Sequence, residues 1–199
     1  MQHIDNTVIL NHICHRRSVP ASQLAEPAPN DEQLEKMLLA ANSAPDHGNL
    51  TPWRYIIIRG EHRFSFGDML AEALKLRNPD ATEADIERER QKATRAPLII
   101  AVVANPVMDH PKVPVIEQIL AAGTAAGYLL LAADAMGFGS IWLTGPRCYD
   151  EHVKRNLGLA PHESLIGLIN IGTPKCQPEA RRRPQPSQFI TEWRGVSPD

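Results

Sequence analysis

The 199-residue chain carries 43 % hydrophobic and 22 % charged side chains, the balance of a soluble globular protein rather than of a disordered, fibrous or multi-span membrane one. Lys and Arg number 21 against 23 Asp and Glu, so the net charge of −2 lacks the basic excess expected of a protein whose main partner is bulk nucleic acid. Cys14, Cys148 and Cys176 are far apart, form no C-x-x-C pair and are odd in number, which points to a reducing, cytoplasmic setting. No basic stretch followed by an apolar run opens the chain at Met1–Asp5, so no signal peptide is read there.

In chain order, Asp5 to Arg17 places Val8, Ile9 and Ile13 at helical spacing, and Pro20 bars continuation. Asn30, with Gln33 at the third helical position, reads as a capping box that opens a helix with Leu34, Met37, Leu38 and Ala41 on one face. Pro45, Gly48 and Pro52 make a loop that feeds a strand at Tyr55–Ile58. Phe66, Met69, Leu70, Ala73 and Leu74 mark a third helix. Thr82 to Thr94 is almost wholly polar, with Asp85/Arg88, Glu87/Arg90 and Glu89/Lys92 three apart, and is expected to be an exposed, mobile outer helix flanking a cleft.

Leu98–Val103 is a continuous apolar run suited to a strand buried on both faces. Val115 to Met136 is a long helix rich in small residues, Ala121, Ala122, Gly123, Ala125, Ala126 and Gly127, that would admit a closely packed neighbour. Its weakly polar run, Ile119 to Ala133, is short of the about 20 residues of a bilayer span and is expected to be a buried core helix. Gly137 ends it. A strand at Ser140–Leu143, a turn at Thr144–Pro146, a short helix at Asp150–Leu157 and a strand at Leu165–Ile171 follow. The tail is polar and Pro-rich up to Phe189, Ile190 and Trp193, apolar residues that call for a surface to cover, such as a partner subunit. Four strands among five or six helices in irregular order give a layered α+β or α/β domain.

Familiar catalytic patterns are missing. His12, Cys14 and His15 are close, yet no further ligands recur at zinc-like spacing. There is no Gly-x-Ser-x-Gly, no Walker loop, and Gly137-Phe138-Gly139 follows a helix and precedes a strand, the reverse of a dinucleotide turn. Arg16-Arg17-Ser18 and Arg181-Arg182-Arg183 are suitable phosphate ligands, since guanidinium offers a planar fork of donors and keeps its charge. From charge alone, the favoured reading of Arg16 and Arg17 is as complements to a helix C-terminus. The loop from Ala44 to Trp53 either presents polar groups to a flat ring or is a tight connection.

Taken in order, Arg16-Arg17-Ser18-Val19, Ala44-Pro45-Asp46-His47-Gly48-Asn49-Leu50-Thr51-Pro52-Trp53, Ala96-Pro97-Leu98-Ile99-Ile100, the Ala/Gly helix into Gly137-Phe138-Gly139-Ser140-Ile141-Trp142, and Ile171-Gly172-Thr173-Pro174 resemble the FMN-dependent nitroreductase family. The resemblance runs from about residue 10 to 190 and is nearest to a compact bacterial NAD(P)H nitroreductase-like subgroup. It implies a three-layer α+β fold with a central, mostly antiparallel sheet flanked by helices, and an interwound homodimer with FMN at the interface. The chain would be a single domain over residues 1–199, its C-terminal arm from about 175 docking on the partner. By resemblance, Arg16, Arg17 and Ser18 hold the phosphate and ribityl chain, with Arg182 a further phosphate ligand. Trp142, Leu143 and Thr144 run beside the isoalloxazine. Pro45, His47 and Asn49, with Ser43 close by, reach it from the other subunit.

NADH or NADPH would then donate a hydride to flavin N5 and an electron-poor small molecule, a nitroaromatic or quinone, would accept it. The flavin carries the chemistry, so no catalytic side chain is required, and no metal, nucleic acid or membrane is implied. Positive groups near the flavin's N1/O2 edge would stabilise its reduced form, a role to which no residue is assigned. A flavin-binding redox sensor or carrier is the alternative. Three positions depart from the family: Pro20 stands where many relatives have Arg, Thr51 where many have Gln, and His47 where a small residue is common.

Overall fold

The computed structural model describes residues 6–179 and 182–195. In chain order it runs α1 (Asn6–His15), β1 (Leu24–Ala25), α2 (Asp31–Ala41), β2 (Trp53–Arg59), α3 (His62–Arg77), α4 (Glu83–Gln91), β3 (Leu98–Ala104), α5 (Val115–Ala135), β4 (Gly139–Leu143), α6 (Pro146–Tyr149), α7 (Glu151–Asn156) and β5 (Ser164–Pro174). The strand β1 and the helix α6 are additions to the expected set. Both are too short for a periodic signal, and β1 exists because Leu24 and Ala25 lie opposite Pro174 and Thr173. The capping box is formed as expected, Asn30 and Gln33 exchanging side-chain and backbone bonds at the start of α2.

Every strand pairing is antiparallel. β5 is the axis of the sheet: β3 lies along one side and is followed by β2, while β4 and then β1 line the other. β3 is buried along its whole length because both faces are covered. Leu98, Ile100 and Val102 face α2 and α5 with Met37, Leu129 and Ala133; Ile99, Ala101 and Val103 face α3, α6 and α7 with Phe66, Leu70, Cys148 and Val153. The result is the expected three-layer α+β arrangement.

Two helices differ from their sequence reading. The three charge pairs of α4 and its following turn all form, but this segment is not wholly exposed. Ile86, Glu89 and Ala93 are buried, Glu89 between Lys92 and Arg147 of α6, and α3 approaches so closely that a Cβ at Gly67 would stand 2.6 Å from Arg90 O. One apolar residue per turn is too few to stand out in a run of charges. α5, expected to be a buried core helix, is buried on one face only. Ala122, Ala125, Leu129 and Ala133 pack on the sheet, whereas Ile116, Leu120 and Tyr128 are exposed and a Cβ at Gly123 or Gly127 would meet nothing within 4 Å.

Candidate functional site

The expected site residues fall into two groups at opposite ends of α5. The first forms where the chain leaves α1. Val19 donates its N–H to Ser140 O at 3.0 Å, which lays Arg16–Val19 along the start of β4. Gly139 permits this contact, since a Cβ there would sit 2.8 Å from Leu24 Cδ2 and 3.0 Å from Val19 Cγ2. Arg17 Nη1 donates to the carbonyls of Cys14, His15 and Arg16, so this group does cap the helix C-terminus, while its Nε is buried without a hydrogen-bond partner among the described residues.

Arg16 is different. Its Nη1 is sealed from solvent and likewise lacks a hydrogen-bond partner among the described residues. Burial lowers its pKa below the usual arginine value; the Asp134 carboxylate opposes this, and the charges of Arg183 and Arg17 add to it. Arg183 Nη2 donates to Arg16 O at 2.8 Å and so draws the tail back to this point. Arg182, the expected phosphate ligand, makes no such contact among the described residues. Arg182 is exposed and lines a shallow cleft of ≈ 310 Å³ with Arg183 and Gln185; Arg181 lies outside the described residues. Ser18 is exposed beside the cluster.

Along β4, Trp142 is fixed by its indole N–H, which donates to Ile166 O at 3.2 Å. The ring lies across Gly167, where a Cβ would stand 2.0 Å from Nε1. Leu143 is half-buried and Thr144 exposed, ahead of Gly145 at φ 107°.

The second group occupies the loop between α2 and β2. Asn42 Oδ1 accepts from Trp53 Nε1 at 2.9 Å and from the Tyr55 hydroxyl at 3.3 Å, and burial pushes the Tyr55 pKa up to about 12. Ser43 Oγ donates to Ala40 O at 2.7 Å. Asp46 Oδ2 accepts from the Thr51 N–H, and Gly48, Asn49 and Thr51 all take positive φ. Pro45, His47 and Asn49 are exposed. His47 Nδ1 lies 2.8 Å from Glu117 Oε2 in the first turn of α5.

The far end of α5 belongs to the first group. His12 Nε2 donates to Leu131 O at 3.0 Å, and its Nδ1 lies 3.3 Å from Asp134, so this ring ties α1 to α5. At about 1.5 Å of rise per residue, Glu117 and Asp134 stand roughly 25 Å apart. Sheet register agrees: the loop enters β2 at Trp53, opposite Ala104 and through it Ser164, whereas Ser140 lies opposite Ile171, near the other end of β5. One chain therefore does not close both groups around one small molecule. A cleft of ≈ 590 Å³ between the ends of α1 and α5 takes in Arg17 from the expected set.

Sequence reasoning missed Asp134 and Glu117 and did not single out Arg183. Arg183 was visible only as one of three consecutive arginines, and nothing local ties Glu117 to a histidine 70 positions away.

An antiparallel sheet between two helical layers, with arginines where the first helix gives way to an edge strand, is the build of a nitroreductase-like α+β protein. The chain belongs to the Nitroreductase family, whose model matches residues 13–173. It is 38 % identical over 183 residues to the Escherichia coli K12 protein named "Putative NAD(P)H nitroreductase YdjA", covering 92 % of this chain and 97 % of that one. Its fold is shared with a nitroreductase-like family protein from Bacillus cereus, at a TM-score of 0.81 and 23 % identity over 98 % of this chain and 100 % of the other. A Desulfovibrio desulfuricans structure described as a "putative nitroreductase in complex with fmn" matches at 0.71 and 26 % identity over 92 % and 96 % of the two chains.

The residues present fit a phosphate-bearing group. Like charges gathered around a guanidinium with a buried, unpartnered N–H are costly alone, and an anion offsets that cost.

Proposed function

We propose that this protein is an FMN-dependent oxidoreductase, acting as a homodimer, that takes a hydride from NADH or NADPH and delivers it to an electron-poor small molecule such as a nitroaromatic or a quinone. The observation that carries this reading is the Arg16, Arg17 and Arg183 cluster with its unpartnered Arg16 Nη1. Arg16 and Arg183 would bind the FMN phosphate, with Arg17 and Ser18 beside them and Arg182 at the rim. Trp142, held across Gly167, would keep Leu143 and Thr144 in place as a wall beside the ring. Bound FMN supplies a ring that accepts a hydride at N5 and releases it to the acceptor, so the protein's part is binding, orientation and charge.

The separation of the two groups of expected site residues supports a dimer. The exposed face of α5 carries Ile116, Leu120 and Tyr128 beside the open Gly123 and Gly127. A groove of ≈ 330 Å³ continues it through Ile9, Ile13, Ser43 and Leu131. Two copies of α5 packed antiparallel about a two-fold axis would bury these faces and bring the His47 end of one chain to the Arg16 end of the other. Pro45, His47 and Asn49 would then reach the ring from the second subunit. The tail, with Phe189, Ile190 and Trp193 74 %, 69 % and 83 % exposed, would dock on that subunit as an arm of the same domain.

The test is an absorption spectrum of the purified protein before and after anaerobic NADH and NADPH. Oxidised-flavin bands that bleach with one or both nicotinamides are expected. A flavin that stays oxidised would favour a sensor or carrier, and a protein that refuses added FMN would overturn the reading.

A further inference from the structure

The wall proposed beside the ring, Leu143 and Thr144, is held from its two ends. Trp142 fixes the near end through its bond to Ile166 O. At the far end Thr144 is exposed, and Gly145, at φ 107° and ψ −171°, takes a backbone conformation open to glycine, with nothing within 4 Å of where a Cβ would stand. The next fixed point is α6. Cys148 is 3 % exposed in the core with Phe66 and Leu70 of α3, and its N–H donates to Gly145 O at 2.9 Å. Arg147, its side chain 14 % exposed, reaches across to α4, where its Nη2 stands 3.6 Å from Glu89 Oε1.

Stability does not account for this pair. Arg147 Nε is sealed from solvent without a hydrogen-bond partner among the described residues, and Glu89 is shared with Lys92, whose Nζ donates to its other oxygen. A buried guanidinium with an unmade bond and half a partner is less favourable than a well-packed apolar side chain. Glu89 is itself 7 % exposed, and Lys92, one turn along, would pair with it in the absence of Arg147. What Arg147 adds is a tie of fixed direction between α4 and the turn that ends the wall.

We propose that Glu89 is a positioning residue for the ring end of the site: through Arg147 it sets the turn at Gly145 and, with it, the stand of Leu143 and Thr144 beside the bound ring. This rests on the function proposed above. Hydride transfer needs donor and acceptor atoms in line and in contact, so a small displacement of the wall slows it. The phosphate end, gathered around Arg16 and Arg183, would keep the cofactor bound all the same. In this arrangement α4 is a strut for the wall.

The test uses E89Q, R147M, R147K and the double variant E89M/R147M. At 3.6 Å the attraction is between charges, which E89Q removes at nearly constant shape. Hydrogen exchange over residues 143–149, with and without FMN, reads the tie directly: E89Q and R147M should raise it about tenfold and leave the 16–19 segment unchanged. In anaerobic stopped flow, reduction of the FMN-loaded protein by NADH or NADPH should slow about tenfold in both variants, with the FMN dissociation constant within about twofold of wild type. E89Q added to R147M should slow it no further, because Glu89 acts through Arg147, and R147K should recover most of the rate. E89M/R147M keeps the packing without the charges; it should melt no lower than wild type and still transfer slowly. Wild-type exchange or wild-type transfer in E89Q would overturn the proposal, and that variant carries the test if the double one does not fold. A folded E89M/R147M as fast as wild type would overturn it too, and an E89Q effect that persists on top of R147M would overturn the role of Glu89. A wild type that takes up no FMN, or is not reduced, would overturn the proposed function itself, a result readable before any variant is made.

Discussion

Arg54 crosses from β2 to the loop before β5 and places Nε and Nη2 on the two oxygens of Glu163 at 2.6 and 2.7 Å, with Gly158 O as a third acceptor. Glu163 is 5 % exposed and also accepts the Ala160 N–H. Its carboxyl pKa is lowered, first by the Arg54 hydrogen bonds, against the pull of burial. A depressed carboxylate contributes stability above its unfolded pKa and loses it as pH falls through the folded value. This contribution is therefore complete above pH 4.5, the ordinary value, and disappears in more acid solution. R54A strands a buried carboxylate and should cost about 2 kcal/mol in urea unfolding at pH 7, with a smaller deficit below pH 4.5. At Arg16 the expected effect is on binding: R16A should weaken FMN about 10- to 100-fold in a fluorescence titration, the scale of one charge-assisted hydrogen bond, while the melting temperature of the apoprotein changes little.

Among the elements, α5 links the two halves of the proposed site and carries the exposed face that the proposed second copy would cover. Gly127 has open space where a Cβ would stand, so a large side chain there is harmless within one chain and obstructive between two. G127W should therefore yield a folded monomer in sedimentation velocity and lose FMN with the dimer. G127A should stay dimeric and gain up to about 1 kcal/mol of helix stability. How legible each element was depended on how local its cause is. The capping box of Asn30 and Gln33 and the three ion pairs of α4 act within one turn, and all were readable. The buried face of α4 was not, since Ile86 and Ala93 are set off from surrounding charges only by α3, and the open face of α5 looks in sequence like another core face.

For the whole molecule, the decisive feature is that each proposed site draws on two chains. Two defective variants can then complement one another. R16E removes the phosphate end and H47W obstructs the ring end, and each homodimer should bind no FMN. In the mixed dimer, one site combines Arg16 of the H47W chain with the intact loop of the R16E chain, while the other carries both lesions. Co-expressed and purified through two different tags, the heterodimer should bind one FMN per dimer instead of two, read from flavin absorbance against protein concentration.

By itself the sequence determined the helices and strands with a strong period, the burial of β3 on both faces, and the ordered motifs from Arg16 to Pro174 that mark the family. These depend on neighbours along the chain, which a linear pattern records. Tertiary structure decided that Arg183 returns to Arg16, that Arg17 spends one nitrogen on capping α1, that Glu117 takes hold of His47, and that the two groups of expected site residues stand at opposite ends of one helix. Each of these pairs residues that only folding brings together, and a hydrogen bond of 2.8 Å between positions 47 and 117 leaves no trace in the order of the amino acids.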